Sequence, residues 1–264
     1  IAYTRLQSMM KSFPPDKIGM PLPTPEGNLS IERLIVIPPR ASSPSIKGIS
    51  WELEAGETLG IIGPSAAGKT SLVRAVLGIW SATSGTVRLD GAEMKTWDRE
   101  RLGPHLGYLP QDIELFDGSI AENICRFSTI ESGKIIEAAK TAGIHDMILQ
   151  LPDGYETRIT ASSGSLSAGQ RQRVGIARAI YDKPRLIVLD EPNSNLDDQG
   201  ERELLSALKQ LKQSGSTIII VSHRTAILTM TDKLMILKDG LISAIGAREE
   251  VLKALQVAKD NVTK

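Results

Sequence analysis

The sequence predicts an α/β protein: a parallel sheet flanked by helices, with an antiparallel β section and an inserted helical section. Three observations carry that expectation. TLGII, LGYLP, RLIVLD and STIIIVS are short apolar runs bounded by turns, the pattern of strands buried on both faces. Helix-forming stretches separate them, and that alternation implies parallel strands joined by helical crossovers. A glycine-rich segment, Gly63 to Thr70, lies between TLGII and the helix-forming run SLVRAVLGIW. It sits at the carboxyl end of a strand, where such sheets place their ligands.

Composition bounds the reading. A chain of 264 residues, 41% of them hydrophobic, can bury a substantial core as one large or two small domains. Basic and acidic residues balance at 31 each, so nothing in the charge points to a nucleic-acid surface. The single cysteine, Cys125, excludes an intrachain disulfide and suits a reducing compartment; it reads as a small apolar side chain buried in a helix. No apolar stretch approaches the roughly 18 to 20 residues that cross a bilayer, so the chain as given reads as soluble and cytosolic.

In chain order, residues 1–13 carry a rough apolar stripe through Ile1, Leu6, Met9, Met10 and Phe13 and read as the cut end of a helix. Pro14, Pro15, Pro21, Pro23 and Pro25 then forbid helix and favour an extended tether over 14–28. LSIERLIVI and SIKGISWELE are strand-like and flank a Pro/Ser-rich turn, so they are expected to pair antiparallel. Between Gln111 and Leu166 the buried-strand runs disappear. SIAENICRF, SGKIIEAAKTAG and HDMILQL read instead as short helices of an inserted subdomain, about 112–180. Near the end, a Lys-Asp-Gly turn between the apolar runs of KLMILKDGLISAIG signals a hairpin.

The chemistry begins with GPSAAGKT, which fits the phosphate-loop pattern GxxxxGK[ST]. Gly63, Pro64, Ser65, Ala66, Ala67 and Gly68 would turn backbone N–H groups toward phosphate oxygens, with Ser71 in the helix behind them. Lys69 would reach the terminal phosphates, and the Thr70 hydroxyl would take a place on magnesium. In RLIVLDEP a buried strand delivers two adjacent carboxylates to its end. Asp190 is expected to hold magnesium and Glu191 to polarise the attacking water; neighbouring strand residues point to opposite faces, which allows separate tasks.

LSAGQRQR follows. It resembles the LSGGQ signature of ATP-binding cassette (ABC) ATPases through Leu166, Ser167, Ala168, Gly169 and Gln170, with Ala168 in place of a glycine. The rest of that family's set stands in the same order: Gln111 in YLPQD resembles the Q-loop, Asp197 in SNLD the D-loop, and His223 in IIIVSHR the switch histidine. The resemblance implies an ABC ATPase fold over residues 29–256, with a tail at 257–264. It also implies ATP and Mg2+ as ligands, Gln111 in the magnesium shell, and His223 near the γ-phosphate. The family works as a dimer in which each signature faces the γ-phosphate held by the opposite subunit, and the physics agrees: Ser167 and Gly169 open a helix whose N–H groups and dipole favour an anion. A monomer is then expected to bind ATP and hydrolyse it poorly. Arg171 and Arg173, beyond the signature, are expected to be structural ion pairs or solvated charges.

QDIELFDGSIAENICRF and YETRITASSGSLSAGQ resemble the exporter branch, and DEPNSNLD with LSAGQRQR resembles the ATPases of type I secretion in Gram-negative bacteria. This implies a transmembrane domain upstream in the same polypeptide, a periplasmic adaptor, an outer-membrane channel and a protein cargo. It places the domain on the cytoplasmic side of the bacterial inner membrane. Two departures stand out. The aromatic residue that stacks on adenine in many relatives would fall near Pro38, leaving Pro38, Pro39 or Ile46 to meet the base. The exporter glutamate before the signature aligns with Ala161. The methyl of Ala168 is expected to be tolerated if the backbone there is helical. A soluble ABC ATPase acting on nucleic acid or ribosomes is the competing reading; it would usually carry a long coiled coil or a second cassette, and neither is in this sequence.

Overall fold

The computed structural model describes residues 2–12, 21–160 and 166–262. Helix α1 (Ala2–Ser12) occupies the expected N-terminal stretch, with Tyr3 and Leu6 exposed. Residues 21–28 form neither helix nor strand, as the prolines require. Phe13, Pro14 and Pro15 lie outside the described residues.

β1 (Leu29–Val36) and β2 (Ile46–Leu53) pair antiparallel, Leu29 opposite Leu53 and Val36 opposite Ile46. Two strands not foreseen in the sequence extend this sheet: β4 (Ser84–Leu89), on the free edge of β1, and β5 (Ala92–Glu93). Their weak apolar character hides them. SGTVRL begins with two exposed residues and then alternates half-buried polar with buried apolar residues only twice, over Thr86–Leu89.

The second sheet runs β12 (Leu241–Ala247), β11 (Lys233–Lys238), β3 (Thr58–Ile62), β10 (Thr217–Val221), β9 (Leu186–Asp190), β6 (Leu106–Leu109). The five strands from β11 to β6 are parallel, and β12 returns antiparallel through the expected hairpin turn. Every residue of β9 and β10 is buried. Their period-two alternation divides the core: Leu186, Val188 and Ile219 face the antiparallel sheet, while Ile187, Leu189, Ile218 and Ile220 face the helical side.

Helix α2 (Lys69–Val76) packs with the first cluster and α3 (Arg99–Leu102) follows. On the other face lie α4 (Ile120–Ile124), α5 (Ser132–Thr141), α6 (His145–Leu149), α7 (Ala168–Ile180) and α8 (Asp198–Gln213). A two-stranded ribbon, β7 (Gly118–Ser119) with β8 (Arg158–Ile159), interrupts this helical section; two-residue strands leave no periodicity to read. Cys125 is buried, as expected, but it is the C-cap residue after α4 and not part of a helix.

Two features fix the section in place. Ser119 and Glu122 form a reciprocal capping box at α4. The largely buried Arg126 guanidinium donates to four backbone carbonyls, Leu106 at 2.7 Å, Gly103 and Arg178 at 3.0 Å, and Ala179 at 3.2 Å, pinning the section to the start of β6 and the end of α7. Burial holds its pKa down to about 10. Helix α9 (Thr225–Leu228) follows β10, and α10 (Arg248–Val262) runs to residue 262, so most of the expected tail is helix.

Candidate active site

The loop Gly63–Gly68 joins β3 to α2, and its shape is dictated by close approaches. A side chain at Gly63 would strike the Leu237 carbonyl, and one at Gly68, where φ is 103°, would strike the Ser45 carbonyl. The Gly240 amide donates to the Ala67 carbonyl at 3.0 Å, while the Gly240 carbonyl accepts from Lys47 at 2.9 Å. The β11–β12 turn therefore stitches the loop to β2. Lys69 is nearly buried, and its ammonium donates back to the Gly63 and Pro64 carbonyls at 2.7 and 2.9 Å. Burial lowers its pKa, partly offset by the nearby Glu191 and Asp190 carboxylates.

β9 carries the acidic pair to the same place. Thr70 Oγ1 donates to Asp190 Oδ2 at 2.9 Å. Asp190 is buried, and that burial raises its pKa, with the Thr70 hydrogen bond acting the other way. Glu191 takes a left-handed backbone, φ 51°, which is uncommon for a side chain of this kind; its amide is held by the Val221 carbonyl of β10 at 2.9 Å. The turn aims its carboxylate at two other side chains expected at the site. Gln111 Nε2 donates to Glu191 Oε2 at 3.3 Å, and His223 Nε2 lies 4.0 Å from Glu191 Oε1. A cleft of about 260 Å³ is lined by Ser65, Ala66, Gly68, Lys69, Thr70 and Ser71, by Gln111, Asp190 and Glu191, and by Ser45, which sequence reading did not single out.

The signature lies apart from that cleft within one chain: none of the described residues lining it comes from Leu166–Gln170. Ser167 caps α7, its hydroxyl accepting the Gln170 amide at 3.2 Å while the Gln170 side chain accepts the Ser167 amide at 2.8 Å. Ala168 begins the helix with no positive φ, so its methyl group meets the expected condition. Gly169 rests against the Asn195 carbonyl, where a side chain would clash. Asp197 caps α8 through the Gly200 amide at 2.9 Å and receives Arg173 at 2.9 Å. Its pKa is lowered by that amide first and by Arg173 after it. Arg173 also meets Glu203 at 3.6 Å and Arg171 donates to the Leu166 carbonyl at 2.7 Å, structural contacts as expected.

The base contacts need correction. Ile46 is fully buried, its Cδ1 directly beneath Gly68, so it supports the phosphate loop and offers a base no surface. Pro38 is half-buried and Pro39 exposed, beyond the end of β1. Ala161, in the place of the exporter glutamate, lies outside the described residues. Sequence reading also missed Gln172, which is buried; its position four residues before Ile176 and seven before Ala179 sets a polar side chain on the apolar stripe of α7. That misplaced polarity was the available signal.

A glycine-rich loop at the end of a central parallel strand, running into a helix beside a strand-borne carboxylate pair, defines a P-loop nucleotide-binding protein. The family model described as ABC transporter matches residues 46–194, more than half of the sequence. The chain belongs to the ABC transporter family, as an ATP-binding ATPase domain. It is 45% identical, over its whole length and 46% of the relative's, to the type I secretion system ATP-binding protein PrsD of Rhizobium meliloti (strain 1021). It is 35% identical, over 80% of its length and 36% of the relative's, to an ATP-dependent lipid A-core flippase of Saccharophagus degradans. A solved bacterial Atm1-family ABC exporter with ATP bound superposes with a TM-score of 0.84 at 27% identity, covering 96% of this chain and 45% of that one. The chain thus spans less than half the length of these relatives.

Proposed function

We propose that two copies of this chain close around two ATP molecules, hydrolyse them, and so drive export of a protein across the bacterial inner membrane, with the chain on the cytoplasmic side. The observation that carries the ATPase part is the convergence of Lys69, Thr70, Gln111, Asp190 and Glu191 on one cleft. The 45% identity to a type I secretion protein over the whole chain supports a protein cargo. Likeness to a lipid A-core flippase supports a lipid cargo as the second reading.

In this reading Gly63–Gly68 and the first turn of α2 present N–H groups to the phosphates. Lys69 leaves the Gly63 and Pro64 carbonyls to meet the terminal phosphates. Thr70, Asp190 and Gln111 offer hydroxyl, carboxylate and amide oxygens side by side, a donor set suited to Mg2+, which favours oxygen ligands and keeps several waters. When bound, that ion would neutralise phosphate charge. Glu191 accepts the proton of the attacking water, and His223 positions that water and the γ-phosphate. Ser167 and the α7 N-terminus close on the γ-phosphate of the partner's site, with Asp197 at the dimer seam.

Phe116 and Phe127, exposed and in edge-to-face contact at 6.0 Å on the helical section, are proposed to dock the transmembrane domain. A periplasmic adaptor and an outer-membrane channel complete the assembly in this reading. The test is Glu191→Gln. Turnover is expected to fall at least about a hundredfold while ATP-dependent dimers accumulate on size exclusion; robust turnover by the variant would remove Glu191 from its role.

A further inference from the structure

The signature turn and the Glu191 turn serve different ATP molecules in the proposed dimer, yet a buried side chain on the helix that the signature opens bonds to the Glu191 turn. Gln172 stands on α7, one turn beyond Gly169, and is 1% exposed. Its Nε2 donates to the Pro192 carbonyl at 2.8 Å, with the Glu191 carbonyl at 3.4 Å. Its Oε1 accepts from Asn195 Nδ2 at 3.3 Å. Asn195 meets α7 a second time, through the carbonyl packed under Gly169. Across the same loop, buried Ser222, next to His223, donates to Asn193 Oδ1 at 3.2 Å and receives the Arg224 amide at 3.1 Å.

From these contacts we infer that Gln172 and Asn195 are positioning residues that couple the two ATP sites: closure of one chain's signature on its partner's γ-phosphate is passed through α7 to that chain's own Glu191. The inference rests on the paired-site reading above. The physical basis is a buried amide that must move as a unit with both ends. Displacing α7 by a fraction of an ångström strains the Pro192 hydrogen bond, and Pro192 is buried with no solvent to replace that donor. The left-handed Glu191 backbone is the adjoining link. Cooperativity between the sites is then a coupling free energy carried by named hydrogen bonds.

The experiment compares ATP hydrolysis by the full chain with that of Gln172→Met and Asn195→Ala across ATP concentrations, with thermal melts and ATP binding measured alongside. Neither residue lines the cleft, so the Kd for ATP is expected to stay within about twofold of the unsubstituted chain. The Hill coefficient is expected to fall from near two toward one, and kcat by about tenfold. A merely structural role would lower the melting temperature and leave the Hill coefficient in place. Asn195 is exposed, so Asn195→Ala keeps the test decisive should Gln172→Met fold poorly. An unsubstituted Hill coefficient of one, or variants that keep the unsubstituted coefficient, would overturn the coupling and leave the ATPase standing. Absence of hydrolysis by the unsubstituted chain would overturn both.

Discussion

At the scale of single residues, the cleft stores electrostatic tension that ligand binding would relieve. Asp190 is buried, with a hydroxyl as its hydrogen-bonding partner. Its raised pKa means the folded state favours the neutral carboxyl, so its contribution to stability is present at low pH and lost as pH rises through the folded value. At neutral pH the ionised group is a cost. Asp190→Asn is therefore expected to raise the melting temperature of the nucleotide-free chain by about 2–4 °C, what roughly 1 kcal/mol yields at this size. The same change is expected to abolish magnesium-dependent hydrolysis. An unchanged or lowered melting temperature at pH 7, measured by calorimetry, would show that burial is not the dominant influence. Apart from Ser45, the residues lining this cleft were legible in the sequence because phosphate chemistry demands particular residue types at fixed spacing. Ile46 was not: whether an aliphatic side chain meets a ligand or lies beneath a loop depends on packing that no spacing encodes.

At the scale of elements, the helical section is held to the sheet by few but strong contacts. Arg126 reaches four carbonyls and, among the described residues, forms no ion pair with a carboxylate, so truncating it takes a donor from each of those carbonyls. Arg126→Ala is expected to cost about 3 kcal/mol, with faster amide exchange in α4 and the end of α7. Equal exchange in the two proteins would mean that apolar packing alone fixes the section. Ser119→Ala removes one half of the α4 capping box and is expected to cost about 1 kcal/mol, read as a lower melting temperature with unaltered ATP affinity. Parallel strands announced themselves through unbroken apolar runs such as LIVLD and TIIIV. The short strands β4, β5, β7 and β8 did not, because their pairing is supplied by neighbours, β1 above all, and by turns distant in sequence. Gln172 escaped notice for a related reason: the acceptors of its amide are backbone carbonyls, which have no residue type to read.

At the scale of the whole molecule, one chain holds the phosphate loop and the signature on separate surfaces, so function is expected to require two copies. A chain with Lys69→Ala and a chain with Ser167→Arg should each be nearly inactive alone. Mixed in equal amounts, half the dimers would hold one intact site of two, so activity should return but stay below about a quarter of the unsubstituted value, because the Glu191 of the intact site belongs to the chain whose signature is disabled. No recovery on mixing, with dimers verified by light scattering, would contradict shared sites. The order of strands in the sheet has a further consequence, for synthesis. β3, which ends in the phosphate loop, sits between β10 and β11, and the loop itself is stitched through Gly240. A ribosome releases the glycine-rich segment well before β10 and β11, the two strands that flank β3 in the sheet. A fragment terminated before those strands is therefore expected to bind nucleotide poorly and to compete little with finished copies for the cell's ATP.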